Sequence, residues 1–389
     1  MNIKENVEKM KMIQNTLLDF VDKETNSEEN YSNFLNIIKR HQIIEDRYEF
    51  KLLLRLINQI GNDHRRGCNF INKIEKILEH FSKDIKKCFS NDEIFKVFDN
   101  NKRILLFLIL NKIIIMDEFM ASQIINPKYI PKMYLKYFRP EIKNSVSEKF
   151  SSKYRIINYP LFGKSLLEKI RKEVPEDFYE KRKAGENDNY LCYLIRKDDG
   201  KEFGVYLYRN NLSFNSSINA SVFETNNKFF DKHDISLFEY ASFYGSNEVI
   251  KFIKINGEVE LTPSMWEYAI HSNNAELITY LEDNVSPPNN NYERILKESI
   301  KCHHNDISKY IIDNLIEEED LQYNIKNNFN ENLYQYAFEY YNFCFFPENI
   351  KDKNMFLYLC QYDYYPLVKL YLQEEKIDIN GINIEIPII

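Results

Sequence analysis

The residue types that bind metal ions are concentrated in one short stretch, Cys302-His303-His304-Asn-Asp306. Thiolates, imidazoles and carboxylates are the usual protein ligands of zinc. Consecutive residues on one turn cannot all direct their ligand atoms at a single ion, and no second cluster in the sequence completes a tetrahedral shell. We therefore predict that this stretch holds no metal, and the sequence indicates no other cofactor.

Motifs for catalysis and nucleotide binding are also missing from the sequence. Gly163-Lys164-Ser165 resembles the end of a phosphate-binding loop, but the residue five positions before Gly163 is Asn158 rather than glycine. The patterns Gly-x-Ser-x-Gly and His-Glu-x-x-His and the dinucleotide-binding glycine motif do not occur. The sequence therefore predicts that the chain is not an enzyme.

Residues 234–315 contain one pattern three times. The copies begin Leu237-Phe-Glu-Tyr-Ala241, Met265-Trp-Glu-Tyr-Ala269 and Ile295-Leu-Lys-Glu-Ser299, and each continues with a polar turn and a second apolar run. We call the last residue of each of these openings the anchor, and successive anchors lie 28 and 30 residues apart. Two helical runs at such a period are typical of stacked helical repeats, in which one copy cannot bury its apolar face alone.

This pattern resembles the ankyrin repeat. Thr262-Pro263 matches the opening of that repeat, Ala241-Ser242 its small pair, Gly245 its turn glycine and residues 249–253 its second helix. Residues 190–320 are also similar to a large protist family of ankyrin-like proteins of unknown function, most clearly in segments 239–246, 268–275 and 298–307. The resemblance implies a fold of stacked helix pairs, and it implies no activity.

We predict an all-α chain in which a helical N-terminal region precedes an irregular ankyrin-like α-solenoid. The predicted parts are a helical region at 1–140, a linker with short helices at 141–189 and degenerate repeats at 190–389, which are clearest at 234–316. Residues 190–209 fit either a β-hairpin with an Asp-Gly turn or a degenerate first repeat, and we favour the repeat because sheet partners are missing nearby. The sequence leaves open whether residues 1–140 are repeats as well.

Composition argues against several classes of protein. The net charge of −7 argues against nucleic acid as a partner, because the phosphate backbone requires a concentrated basic surface. The most apolar stretch, Ile104–Met116, contains Asn111 and Lys112 and is too short to span a membrane. The six cysteines lie far apart and the N-terminus lacks a secretory signal, so we predict free thiols and a cytoplasmic location.

Tyrosine stands just before the anchor in all copies but one, and we call the residues at this position the tyrosine row. Its members, including those of three weaker copies, are Tyr193, Tyr240, Tyr268, Glu298, Tyr336 and Tyr358, and four residues after three of them come Tyr244, Tyr340 and Tyr362. In a stack of helix pairs this face lies along the concave surface, where tyrosine is favoured for binding. The alternative is that these rings only cover neighbouring helices.

The sequence favours a non-catalytic protein-binding scaffold or adaptor that uses the concave face of its repeats. The predicted partner-binding residues are Tyr240, Tyr244, Tyr268, Tyr336, Tyr340 and Tyr358, and the partner is another protein. The alternative is an enzyme with its active site in residues 1–160, lined by His41, His64 or His80, whose repeats recruit the substrate. A third hypothesis is self-association through the apolar C-terminal end, Ile386-Pro-Ile-Ile389, which also fits a truncated chain.

Overall fold

A computed structural model describes most of the chain. The described residues are 2–23, 25, 27–65, 67, 69–125, 132–145, 173–229, 235–257, 259–288, 291–316, 325–347 and 353–375. Their regular structure is almost entirely α-helical, and the one pair of strands among them has two residues in each strand. The predicted all-α class is therefore confirmed.

The chain forms two compact units. Unit 1 combines Met1–Leu56 with Ile316–Ile389, and unit 2 consists of Ile57–Leu315. The boundary near the N-terminus falls within one helix, Arg47–Asp63. The boundaries predicted near residues 140 and 190 both lie inside unit 2. The compact units instead meet after Leu56 and after Leu315.

Unit 1 is built from both ends of the chain. Its described helices are α1 (Ile3–Asp22), α2 (Ser27–Arg40), the first part of α3 (Arg47–Asp63), and, from the C-terminal part, α20 (Ile325–Glu339), a 3-10 turn (Phe343–Phe345), α21 (Lys353–Gln361) and α22 (Tyr365–Glu375). Helix α1 packs against α2, the 3-10 turn and α22. The Gln14 amide joins the two parts, because it donates to Asn342 at 2.9 Å and accepts from the Phe343 N–H at 2.7 Å.

Unit 2 begins with the end of α3 and continues through sixteen further described helices. These are α4 (Phe70–His80), α5 (Ser82–Cys88), α6 (Asn91–Phe98), α7 (Lys102–Leu110), α8 (Glu118–Ile125), α9 (Lys132–Tyr137), α10 (Arg139–Ser145), α11 (Phe178–Ala184), α12 (Tyr190–Arg196), α13 (Gly200–Arg209), α14 (Leu237–Tyr244), α15 (Asn247–Asn256), α16 (Met265–Ser272), α17 (Ala275–Asn284), α18 (Glu293–Lys301) and α19 (Asn305–Tyr310), which a π-helical turn (Ile311–Leu315) extends.

Helices α12–α19 form four consecutive pairs. The first helices pack in chain order, α12 on α14, α14 on α16 and α16 on α18, while the second helices α13 and α15 also pack together. In each pair a left-handed residue separates the two helices: Asp198, Gly245, Asn273 and His303, with φ between 53° and 64°. Residues 190–209 therefore form a helix pair, and the alternative of a β-hairpin is wrong.

Local sequence explains where these pairs begin and turn. Helix α14 starts with a capping box, in which the Ser236 side chain accepts from the Glu239 N–H and the Glu239 carboxylate accepts from the Ser236 N–H. In two of the pairs, the residue that follows the left-handed residue donates its backbone N–H to the carbonyl oxygen of the anchor. Ser246 donates to Ala241 at 3.0 Å, and His304 donates to Ser299 at 3.0 Å. This is the Schellman arrangement, which ends a helix and reverses the chain.

A long connection lies between the first and second pairs. It contains strand β1 (Ser217–Ile218), which pairs antiparallel with β2 (Ile235–Ser236), and a 3-10 turn (Asn227–Phe229). We call residues 219–229 the covering segment, because its side chains lie against the first helices α14, α16 and α18. No helix among the described residues is both long and apolar enough to cross a membrane.

Candidate functional site

The tyrosine row of unit 2 is largely buried. Tyr240 and Tyr268 each expose 1% of their surface, and Glu298, at the same place in α18, is also buried. Phe229 of the covering segment lies over both rings, with centroid distances of 5.0 Å to Tyr240 and 6.2 Å to Tyr268. The prediction that Tyr240 and Tyr268 are exposed contacts is therefore wrong, because the chain itself covers this face.

The Tyr240 hydroxyl is engaged by groups of its own unit. Arg196 Nη1 donates to this hydroxyl at 2.8 Å, and the hydroxyl donates to Glu224 Oε2 at 3.5 Å. Burial, with the nearby Tyr244 and Glu224, raises the pKa of Tyr240 well above its ordinary value. The hydroxyl is therefore a neutral group that joins α12 and the covering segment to α14.

We call the side of the first helices that lies under the covering segment the covered face. A buried cation, Lys228, lies on this face against α16 and α18. Lys228 Nζ forms an ion pair with Glu298 Oε1 at 3.0 Å and with Glu267. Burial alone would lower the pKa of Lys228, but these two carboxylates outweigh burial and raise it. Lys301 forms a further ion pair with Asp63 of α3 at 3.0 Å. These contacts satisfy buried charges, so they favour a structural role for Glu298 over partner binding.

The remaining predicted tyrosines are half-buried. Tyr244 lies in unit 2, whereas Tyr336, Tyr340 and Tyr358 lie in unit 1. Tyr358 stacks on Phe338 with ring centroids 6.0 Å apart. A half-buried ring presents one edge to a partner while the rest packs on its own helix. Partner binding by these four residues stays a prediction.

The Cys302–Asp306 stretch forms the turn between α18 and α19. Cys302 is buried, and burial raises the pKa of its thiol well above the ordinary value. His304 is also buried, and its Nε2 lies 3.1 Å from the carbonyl oxygen of His271. Among the described residues, no group of three or more His, Cys, Asp or Glu side chains is arranged to hold a metal ion. Cys68, Gly163–Ser165 and residues 386–389 lie outside the described part of the chain.

The three histidines named for an enzyme have different surroundings. His64 is buried, with its Nδ1 2.6 Å from the carbonyl oxygen of Cys302, and its ring centroid lies 4.9 Å from that of His304. His80 is exposed at the end of α4, and His41 is half-buried in unit 1. His64 thus fastens the end of α3 to the turn after α18, which is a packing role.

A basic cleft of about 350 Å³ lies on unit 2, beside the covered face. Its charged lining residues are Arg103 of α7, Lys183 of α11, Arg196 of α12 and Glu186, and Tyr244 completes one wall. Glu186 is paired with Arg196 at 2.8 Å, and Arg103 is paired with Glu75 at 3.0 Å. Each arginine is thus paired with a carboxylate, and Lys183 leaves the cleft with a net positive charge on an acidic chain.

The start of α4 adds to the positive character of the basic cleft. Residues 69–72, the first turn of this helix, belong to the lining. Asn69 has a left-handed φ of 60°, and no side chain caps the first turn. Its side-chain oxygen instead accepts from the side chain of Asn72 at 3.3 Å. An uncapped helix start leaves backbone N–H donors and a partial positive charge for a ligand.

Tyr244 is the one predicted site residue that lines this cleft. Arg103, Lys183 and Arg196 were missed because they come from three distant helices and carry no shared spacing. The pattern Lys181-Arg182-Lys183 in α11 was the available local signal, and a run of cations in a last helical turn is also explained by the helix dipole. Comparison of the chain with protein-family models, with curated proteins and with solved structures finds no match in any of the three.

Proposed function

We propose that the chain is a non-catalytic protein-binding scaffold whose helix pairs form an ankyrin-like α-solenoid. The repeat is supported by anchors 28 and 30 residues apart and by the same left-handed turn in all four pairs of residues 190–310. The first helices pack in chain order, as expected for a stack in which each pair contacts its neighbours. An acidic chain whose described cysteines are all free fits the cytoplasm.

The observation that carries the binding role is the basic cleft. It combines fixed cations with the edge of an aromatic ring, which are the residue types enriched where proteins bind proteins. The described residues that line it include no His, Cys, Ser or Asp, the Thr225 hydroxyl donates to the carbonyl of Gly185 at 2.7 Å, and Glu186 is paired with Arg196, so no hydroxyl is paired with a base there. The cleft is therefore better suited to holding a partner than to transforming a substrate.

The binding surface in this proposal is not the concave face. Tyr240 and Tyr268 are covered by residues 219–229, and displacing that segment would expose the buried charges of Lys228, Glu267 and Glu298. The basic cleft needs no such displacement, because it is already open at the surface. Tyr244 lies between the covered face and the basic cleft. Its ring centroid is 4.9 Å from that of Tyr240, and its side chain lines the cleft.

Affinity capture with the full chain, followed by reconstitution with the purified partner, tests this function. We expect a saturable one-to-one complex that Lys183→Glu weakens about tenfold, because a charge is reversed in the cleft. The matched control is Lys201→Glu, which changes an exposed lysine of α13 outside the cleft and should leave the affinity unchanged. A chain that binds no purified protein saturably would remove the scaffold function.

A further inference from the structure

A second cleft, of about 400 Å³, adjoins the basic cleft. The two share Arg103 and Lys183 as lining residues, so they are neighbouring parts of one surface depression. The second one, which we call the apolar cleft, is lined by Leu106, Phe107 and Leu110 of α7 and by Pro140 and Tyr179. Leu110 is 61% exposed and Tyr179 is 53% exposed, so apolar surface is available here without any movement of the chain.

The acidic residues of the apolar cleft are already neutralised. Glu75 is paired with Arg103 at 3.0 Å, and Glu141 receives two hydrogen bonds from Arg182, at 2.7 and 2.9 Å. Lys183 lines both clefts, and with Arg103 it is one of the cations that act on Glu75. The two clefts together are lined by four cations and three carboxylates, so one positive charge is left for a ligand.

We propose that the two clefts form one groove that binds a short extended segment of a partner protein. A bulky apolar side chain of that segment occupies the apolar cleft, and an acidic residue a few positions further along the segment occupies the basic cleft. Charge complementarity selects this occupant, because Lys183 and the uncapped start of α4 attract an anion while the floor of the other cleft favours an apolar group. This inference rests on the proposed protein-binding function and names its partner chemistry.

The size of the groove sets the spacing of the two recognised residues. Clefts of these volumes are each roughly 7 Å across, so the centres of two adjoining clefts lie within about 10 Å of each other. An extended peptide rises about 3.3 Å per residue and covers this distance in about three residues. The apolar and acidic side chains are therefore about three positions apart. Extended peptides that bind protein surfaces are likewise recognised through side chains a few residues apart.

Fluorescence anisotropy with the full chain and labelled eight-residue peptides tests the groove. The probe peptide carries one Phe and, three positions later, two consecutive Glu residues in a Gly/Ser background. Two comparison peptides replace Phe by Ala or both Glu by Gln, and a third replaces the two Glu by phosphoserine. We expect the Phe–Glu peptide to bind about tenfold more tightly than the Ala and Gln peptides, because each loses one of the two contacts.

Paired variants of the protein assign each half of the groove. Lys183→Glu should weaken the Phe–Glu peptide about tenfold and leave the Gln peptide unchanged, while Lys201→Glu should change neither. Leu110→Glu should weaken the Phe–Glu peptide and leave the Ala peptide unchanged. Its control, Ile255→Glu, changes an 80% exposed isoleucine of α15 and should have no effect.

The groove proposal falls if the Phe–Glu peptide binds no better than its Ala and Gln versions, or if Lys183→Glu and Lys201→Glu act alike. Tighter binding of the phosphoserine peptide, with Phe still required, supports the groove and assigns its acidic side to a phosphorylated residue. A purified protein partner that binds with full affinity to the Lys183→Glu and Leu110→Glu variants overturns the groove while leaving the scaffold function intact. Absence of any protein partner would instead overturn the scaffold function.

Discussion

The tyrosine row has the same place in the repeat pattern of both units, yet its members are buried to different extents. Tyr240 and Tyr268 of unit 2 are almost completely buried, whereas Tyr336 and Tyr358 of unit 1 are half-buried. Each of the four lies directly before an anchor on a first helix. The helix register alone therefore does not decide burial, and in unit 2 Phe229 of the covering segment lies against both buried rings.

The covering segment also matches the residue types below it. It supplies Glu224 to the hydroxyl of Tyr240 and Lys228 to the carboxylate of Glu298. Where the row changes from tyrosine to glutamate, the partner changes from an anion to a cation. This pairing indicates that the face is an interior surface of unit 2, completed by a segment that follows the first helix pair.

The largest expected effect comes from emptying the covered face. We expect Tyr240→Ser with Tyr268→Ser to lower the free energy of unfolding by about 3–5 kcal/mol per ring, as for other buried aromatic residues. Tyr336→Ser with Tyr358→Ser should cost only about 1 kcal/mol per ring, because less apolar surface is lost. Urea unfolding, with hydrogen exchange to resolve α14 and α16 from α20 and α21, measures both.

Tyr193 provides the control within the same row. It is 47% exposed on α12, so Tyr193→Ser should change the free energy of unfolding by no more than about 0.5 kcal/mol. If the Tyr336/Tyr358 and Tyr240/Tyr268 double variants lost equal free energies of unfolding, the different burial of the two pairs would have no energetic consequence. The comparison between the units would then fail.

The second prediction concerns the cation of the covering segment. Lys228→Met should lower the free energy of unfolding by about 3–5 kcal/mol, because the buried Glu298 carboxylate then loses its ion pair with Lys228. Adding Glu298→Gln should recover part of this loss, since the uncompensated charge is removed. The control is Lys251→Met, whose ion pair with Glu248 is exposed and should contribute less than about 1 kcal/mol. Chemical denaturation that shows the same loss for both lysines would contradict a buried role for Lys228.

The smallest effect is a pH dependence that separates one histidine in each unit. Burial, together with the nearby His64, lowers the pKa of His304 well below 6.5. The unfolded chain therefore takes up a proton first, so stability is fully present above about pH 6.5 and decreases as pH falls, by up to about 1.4 kcal/mol per pH unit. Unfolding at pH 7.5, 6.5 and 5.5 measures this slope.

His304→Gln should remove that part of the slope, so the free-energy difference between variant and native chain changes only below about pH 6.5. His41→Gln is the comparison in unit 1. Burial also lowers the pKa of His41, but this side chain is partly in water, so its contribution should be much smaller. A steeper effect of His41→Gln than of His304→Gln would show that the buried histidine is not the acid-sensitive group.

The sequence by itself determined the helices and their pairing in residues 190–310. Apolar residues at helical spacing, the Ser236–Glu239 capping box and the turn residues Gly245 and Asn273 act over a few positions, so they can be read without knowing what lies opposite. At 190–209 the lack of sheet partners nearby favoured a helix pair over a hairpin, and the structure has the helix pair.

Only the tertiary structure decided which helical faces remain open. The contact of Gln14 with Asn342 joins residues 328 positions apart, and it places both ends of the chain in one unit. The burial of Tyr240 depends on the covering segment, and the basic cleft depends on Arg103, Lys183 and Arg196 from three separate helices. Hydrogen bonds within a helix are local, whereas burial and charge complementarity depend on whatever distant segment packs against a surface, and no spacing in the sequence encodes that partner.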